Sequence, residues 1–184
     1  MTDPDRKLML ELARQSVARA VSHQELPDAA AVSPTLAEKK ACFITLTRKG
    51  VLRGCLGQVR PQQPLYQAVI NNARGAALRD PRFPPVRPEE LGLLKIEVSV
   101  LTEPERLPFS SPEELLEKLQ VDRDGVLLEI GPRMATFLPQ VWRSFPDKVQ
   151  FLDHLAQKAG CAPDAWRQHG ATVSVYRAES FEEP

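Results

Sequence analysis

Hydrophobic positions recur at helical spacing in four segments of this 184-residue chain. Such spacing puts apolar side chains on one face of a helix, where they can pack against a core. The segments with this pattern are residues 4–22, 64–78, 112–120 and 147–160. We expect the third helix to be capped by Ser111, with Glu114 as its capping-box partner, and the last to end at Gly160.

Other segments alternate between apolar and polar residues, which is typical of half-buried antiparallel strands. Residues 41–57 and 124–138 each predict a β-hairpin, because a turn containing glycine separates two extended runs. Residues 93–101 and 171–181 each predict a single strand. Strands that arrive as hairpins, with helices between them, predict an α+β protein in which helices pack on a mainly antiparallel sheet.

Two segments lack periodicity and are predicted to be connections. Residues 25–35 contain two prolines, and residues 79–88 contain four. Proline fixes its own φ angle and restricts the residue before it, so the second segment is expected to be a rigid loop.

The register of the first hairpin decides which of its side chains share a face. A three-residue turn at 48–50 would pair Thr47 with Val51 and Ile44 with Gly54. The core face would then hold Cys42, Ile44, Leu46, Leu52 and Leu56, and the reverse face Arg53, Cys55 and Gly57. The alternative is a two-residue turn at Lys49-Gly50, which would pair Leu46 with Arg53 and place a charge on the apolar face. We prefer the first register.

In that register Gly54 faces the core and leaves room for a neighbouring element. The helix at 64–78 is rich in alanine and glycine, so we expect it to approach the hairpin closely there. Arg53 and Cys55 would lie on the opposite face. Cys55 is either a small buried hydrophobe or a reactive thiol, since a nearby cation favours the thiolate, the form that acts as nucleophile or metal ligand. Arg53 is either a ligand or one half of a surface ion pair.

Basic residues are concentrated between Arg48 and Arg87, although the whole chain has no net charge. This stretch has eight basic residues and one acid, Asp80. Arginine binds carboxylates and phosphates in bidentate fashion, so the cluster predicts an anionic small molecule as ligand. The candidate ligand-binding residues are Arg53, Arg79, Asp80, Arg82 and, from the helix at 64–78, Asn72.

In this hypothesis Asp80 orients an arginine and Cys55 is the candidate catalytic residue. Whether the chain is an enzyme or an accessory subunit stays open. Two alternatives remain: a nucleic-acid-binding module, which the basic cluster would also suit, and a partner in a protein assembly without chemistry of its own. The neutral overall charge and the lack of an evident recognition helix make nucleic acid the weaker of these interpretations.

Little else in the sequence indicates chemistry. The three cysteines lack the spacing of a metal site, and no cofactor motif is evident, so we expect a protein without a metal. No apolar run has the length of a signal peptide or of a membrane span, so we expect it to be cytoplasmic. His154 beside Asp153 is either a general base or a helix-surface residue, and we prefer the latter. The aromatic side chains of Phe137, Trp142 and Phe145 are interpreted as core packing rather than as a stacking platform.

Four blocks of sequence together resemble a known family. They are LRGCLG at 52–57, ALRDPRFPPV at 77–86, IEVSVL at 96–101 and ATFLPQVW at 135–142. Their order and spacing resemble the AMMECR-one family, whose prokaryotic members are called AmmeMemoRadiSam system protein A, over nearly the whole chain. The first block usually reads LRGCIG, so Leu56 is a mild departure.

The resemblance implies one domain over residues 1–184, divisible into a larger and a smaller lobe with a cleft between them. It also implies association with a radical-SAM protein and a Memo-like protein. The family's activity is not established. Within the motifs, Arg53 and Cys55 belong to the first block, and Asp80 and Arg82 to the second.

Overall fold

The computed structural model describes residues 1–28 and 32–184, and its chain forms two compact units. The first unit is Met1–Leu101 together with Glu179–Pro184, and the second is Thr102–Ala178. Each contains helices and an antiparallel sheet, so the predicted α+β class is confirmed. Residues 29–31 of the predicted connection at 25–35 lie outside the described residues.

The helices and strands follow the predicted order, with short additions. In chain order they are α1 (Asp3–Val21), α2 (Pro34–Ala37), β1 (Cys42–Arg48), β2 (Val51–Gly57), α3 (Leu65–Leu78), β3 (Leu94–Leu101), β4 (Glu105–Arg106), α4 (Pro112–Lys118), β5 (Gly125–Ile130), β6 (Arg133–Phe137), α5 (Lys148–Lys158), β7 (Ala171–Tyr176) and β8 (Ala178–Glu182). Short 3₁₀ helices occupy Pro88–Leu93, Pro139–Arg143 and Pro163–Arg167.

The first unit packs α1 and α3 on a four-stranded sheet with strand order β2-β1-β3-β8. The predicted apolar face of β3 is confirmed, because its alternate residues from Leu94 to Val100 are buried in this core. The largest side chains around them come from both helices and from β1. They include Met9, Val17, Ile44, Leu46, Leu65 and Val69.

The β1–β2 hairpin has neither of the registers considered from the sequence. Its turn is the two-residue one, since Lys49 and Gly50 have φ angles of 52° and 78° and Arg48 pairs with Val51. A β-bulge then shifts the register, so that Leu46 pairs with Gly54 instead of Arg53. Because the bulge absorbs one residue, the apolar face stays free of charge although the turn is short.

Because of the bulge, one residue that was predicted to face the core does not, whereas other residues lie on the faces predicted for them. Leu52 pairs with Thr47 and is 38% exposed, so its assignment to the core face was wrong. Cys55 pairs with Thr45, on the face opposite Leu46 and Gly54, as predicted. Gly54 is buried, and a Cβ atom there would lie 2.2 Å from the carbonyl oxygen of Ala76 in α3. The predicted close approach of this helix is therefore confirmed.

The second unit has a sheet of order β4-β7-β5-β6 and a core with several aromatic side chains. Trp142 is fully buried, stacks on Phe151 with ring centroids 3.6 Å apart, and donates from Nε1 to the Asp124 carbonyl oxygen at 2.7 Å. The core-packing interpretation is confirmed for this side chain. Ser111 caps α4 as predicted, but the Glu114 carboxylate accepts from the Ser110 N–H, one residue before the expected partner.

The prediction of one strand over 171–181 was wrong. The segment forms β7 in the second unit and β8 in the first, with Arg177 between them. The Arg177 backbone exchanges hydrogen bonds with Thr102, and its guanidinium pairs with the buried carboxylate of Asp124. Because alternation continues through Arg177, the apolar pattern could not show where the strand changes sheet.

Candidate functional site

The thiol of Cys55 lies on the reverse face of the first sheet. The side chain is half-buried, and Sγ accepts a hydrogen bond from Thr45 Oγ1 at 3.4 Å. Thr45 is directly opposite Cys55 in the hairpin, so its hydroxyl reaches the sulfur across the strand pair. Thr45 was not among the residues predicted for the site, because neither of the hairpin registers derived from the sequence places it opposite Cys55.

The carboxylate of Asp80 connects Cys55 to Arg82. Asp80 follows the C-cap of α3 and is buried, and its Oδ2 accepts from the Cys55 backbone N–H at 2.8 Å. It also accepts from the Arg82 side chain at both oxygens, from Nε at 3.0 Å and from Nη2 at 2.7 Å. These hydrogen bonds, chiefly that from Arg82, lower the pKa of Asp80 to about 2. The expectation that Asp80 orients an arginine agrees with this geometry.

The guanidinium of Arg82 is held next to Cys55 and remains accessible. Its Nη2 is 3.4 Å from the Cys55 carbonyl oxygen, and its side chain is 54% exposed. The hydrogen bond to Asp80 raises the pKa of Arg82, with Cys55 contributing less. Asp80 therefore holds one edge of this guanidinium next to the Cys55 side chain, and its exposed part can bind an anion.

Arg53 is bound to the proline-rich loop and its neighbour Glu90. Nε and Nη2 donate to the two carboxylate oxygens of Glu90 at 2.9 and 3.0 Å, and the guanidinium also reaches the carbonyl oxygens of Pro84 and Pro85. Of the two alternatives for Arg53, the structure forms the ion pair, but the Arg53 side chain is only 13% exposed, so the pair is mostly buried and does not lie at the surface. Hydrogen bonds from the Arg53 side chain and the Arg87 backbone N–H, with a smaller effect of Arg48, lower the pKa of Glu90 to about 2. Glu90 was also missed, because nothing in its sequence spacing indicates that it returns to β2.

Asn72 and Arg79 are placed differently from the other candidates. Asn72 is buried, and its Nδ2 donates to the Cys42 carbonyl oxygen at 3.0 Å, with Cys42 Sγ 3.4 Å away. Cys42 belongs to the core, where burial raises its pKa to about 12. Asn72 thus contacts the core face of the sheet, opposite the face of Cys55. The Arg79 backbone N–H donates to the Gly75 carbonyl oxygen at the end of α3.

The remaining candidates of the sequence offer less chemistry. His154 stacks on Phe145 at 4.1 Å and its Nδ1 contacts the Gln150 carbonyl oxygen, while Asp153 accepts from Trp166 Nε1. This arrangement favours the helix-surface interpretation. Among the described residues, histidine, cysteine and carboxylate side chains form no group of three that could hold a metal ion, and none of the helices is both long and apolar enough to cross a membrane.

Comparison with models of known protein families shows to which family the chain belongs. The AMMECR1 family model matches residues 10–181. The chain belongs to the AMMECR1 family. The resemblance drawn from the four sequence blocks is confirmed, and the motif residues Cys55, Asp80 and Arg82 come together in one place.

Relatives of this AMMECR1 protein match it over nearly its full length. Protein TK0174 of Thermococcus kodakarensis is 43% identical over 188 residues, covering 96% of this chain and 89% of its own. Protein Mbar_A1807 of Methanosarcina barkeri is 39% identical over 188 residues, covering 100% of this chain and 92% of its own. The crystal structure of uncharacterized protein PH0010 from Pyrococcus horikoshii has a TM-score of 0.93 and 38% identity, covering 100% of this chain and 93% of that one. The family's activity is not established, so function is argued from the site.

Proposed function

We propose that this AMMECR1 protein binds a small anionic molecule at Arg82 and presents the Cys55 thiolate to it, as nucleophile or ligand. The main support for this proposal is the buried Asp80 carboxylate. One of its oxygens accepts a hydrogen bond from the Cys55 backbone N–H, and both accept hydrogen bonds from the Arg82 guanidinium. A fixed cation costs less conformational entropy when it binds an anion than a mobile one does. This is the arrangement expected of a prepared anion site.

The surroundings of the sulfur support a thiolate role for Cys55. Thr45 donates a hydrogen bond to Sγ, and Arg82 lies nearby as a cation. Both favour the negatively charged form of a thiol over the neutral one. Cys42, by contrast, is in the apolar core, where burial raises its pKa. Of these two cysteines, Cys55 therefore carries the proposed chemistry. Arg53 is a positioning residue, because its guanidinium holds the loop before Glu90 at the carbonyl oxygens of Pro84 and Pro85.

The ion pairs favour a small ligand over nucleic acid. Arg48 and Arg53 converge on Glu90. These contacts neutralise part of the basic stretch that would otherwise contact phosphates. We further propose that the protein acts in a system with radical-SAM and Memo-like proteins, as an enzyme or accessory subunit; co-purification with such proteins tests this setting.

Alkylation with two reagents tests the anion site. Iodoacetate carries a carboxylate and iodoacetamide does not, so the ratio of their rates reports the local preference for an anion. In a Cys161→Ser background, we expect Arg82→Gln to lower the iodoacetate-to-iodoacetamide rate ratio at Cys55 by about 5–10-fold, in line with the loss of one charge-assisted contact. Peptide mass spectrometry after timed labelling measures both rates.

Arg74→Gln is the matched control, because Arg74 is an exposed arginine on α3, the helix that packs on the core face. It should leave the ratio unchanged. Equal ratios in Arg82→Gln and Arg74→Gln would overturn the proposed role of Arg82. A Cys55 that reacts only after denaturation would overturn the role of the thiolate.

A further inference from the structure

The second unit contains a cavity that the proposed function does not use. Its volume is about 460 Å³, within the range of small-molecule sites. Three segments line it: Arg106 on β4, residues 109–112 at the start of α4, and residues 167–172 leading into β7. All of these residues belong to the second unit.

The cavity forms where β4 and β7 separate. The two strands pair over only two positions, with Arg106 opposite Ser174, and the Leu107 N–H then donates to the Val173 carbonyl oxygen at 2.8 Å. Beyond that point Pro108 and Pro112 direct the chain into α4, since proline cannot continue a strand's hydrogen bonding. The first residues of β7 therefore lose their neighbour on this side, and the gap is the cavity.

The ionisable side chains in the wall of the cavity are all basic. Arg106, Arg167 and His169 line the cavity, and none of the described residues that line it has a carboxylate. The Glu113 carboxylate, next to the lining residue Pro112, interacts electrostatically with Arg167. Among the described residues, the side chains of Arg106, His169 and Thr172 have no hydrogen-bond partner within the protein. Their hydrogen-bond donors are available to a ligand. Since the chain as a whole has no net charge, the basic character belongs to this cavity and not to the protein in general.

Arg167 is held in position by contacts outside the cavity wall. Its Nη1 is 3.3 Å from Asp153 Oδ1, and its guanidinium lies 4.1 Å over the ring of Trp166. Trp166 is buried and donates to the same Asp153 oxygen at 2.6 Å. The stacked guanidinium keeps further N–H groups for an anion, at a smaller entropic cost than a mobile side chain would have.

The amino end of α4 does not supply the anion contacts. The Ser111 hydroxyl accepts from the Glu114 N–H at 3.2 Å, and the Glu114 carboxylate accepts from the Ser110 N–H at 2.7 Å. These groups satisfy one another, so affinity for an anion must come from the two arginines, with His169 and Thr172 as additional donors.

We propose that this cavity binds a phosphate monoester, with the phosphate between Arg106 and Arg167 and the organic group against Phe109. Two guanidinium groups and a hydroxyl offer more donors than the two oxygens of a carboxylate accept, whereas a phosphate has three acceptor oxygens. The half-buried ring of Phe109 lines the same cavity and gives a flat apolar surface for the ester group.

Indole signals in an NMR titration of the full-length protein test this proposal, with phenyl phosphate as the probe. The Trp166 indole N–H should shift during the titration, because its ring stacks on Arg167, whereas that of Trp142 in the core should not. Arg106→Gln should weaken the apparent affinity about tenfold, the loss expected for one charge-assisted contact.

Arg143→Gln is the control, because Arg143 is exposed in the same unit and does not line the cavity. It should bind like the unmodified protein. Equal affinities for Arg106→Gln and Arg143→Gln would overturn the site, as would a Trp166 signal that does not move. Benzoate binding as tightly as phenyl phosphate would overturn the assignment to phosphate esters. None of these readouts involves Cys55, so failure here is separate from failure of the proposed function.

Discussion

A Cβ atom on Gly54 would lie 2.2 Å from the Ala76 carbonyl oxygen and 3.7 Å from Leu46 Cδ1. Because the nearest atom is helix backbone, a methyl group there must move α3 away from the hairpin. We expect Gly54→Ala to lower the free energy of unfolding by about 3 kcal/mol, the upper end for overpacked cores. Urea denaturation followed by circular dichroism measures this loss.

Gly92→Ala is the matched control for that substitution. Gly92 belongs to the same unit, but no atom lies within 4 Å of its Cβ position and its φ angle is not in the left-handed region. It should change the free energy of unfolding by less than about 0.5 kcal/mol. Similar losses for the two variants would contradict the argument that close approach requires Gly54.

Residue types in the sequence predicted part of the site. Gly54 indicated the close approach of a helix, and Asp80, a single acid among many cations, indicated an oriented arginine. Glu90 could not be found in this way, since its contact with Arg53 depends on the path of a loop that four prolines direct. Asn72 illustrates the opposite case, because its polar side chain on a helix is used to satisfy the backbone of Cys42.

At the scale of elements, the β1–β2 hairpin depends on a turn in which both residues have positive φ angles. Lys49 has φ 52°, a conformation that costs an ordinary residue free energy but is tolerated by asparagine. We expect Lys49→Asn to raise the free energy of unfolding by about 0.5–1 kcal/mol, and Lys49→Val to lower it, because a β-branched residue adopts this conformation poorly. Urea denaturation of both variants tests this. If valine were tolerated as well as asparagine, the turn would not have the proposed geometry.

The same hairpin shows why periodicity predicts elements better than their register. Alternation in residues 41–57 correctly indicated two strands, but the bulge adds a residue that no apolar pattern marks. Likewise the alternating run at 171–181 contains no signal at Arg177 for the change from β7 to β8. Both features depend on contacts distant in sequence, such as the pairing of Arg177 with Asp124.

At the scale of the whole molecule, two carboxylate–arginine pairs make the stability of the protein sensitive to acid. The pKa values of Asp80 and Glu90 are lowered to about 2, from ordinary values of 3.8 and 4.5, chiefly by hydrogen bonds from Arg82 and Arg53. A carboxyl group with a lower pKa in the folded state binds more protons when unfolded, so acid favours unfolding. The contribution is complete above the ordinary values and disappears as the pH falls toward 2.

We therefore expect the free energy of unfolding to be nearly constant above about pH 5, as far as these two groups determine it, and to fall by at least about 2 kcal/mol as the pH approaches 2. Asp80→Asn and Glu90→Gln should each be less stable at neutral pH, since each leaves an arginine without its carboxylate, and each should depend less on pH below 5. Glu89→Gln is the control, because Glu89 is exposed and belongs to neither pair. Urea denaturation across this pH range measures the slopes. An Asp80→Asn slope equal to that of Glu89→Gln would mean that the Asp80–Arg82 contact, and with it the prepared anion site beside Cys55, does not persist in solution.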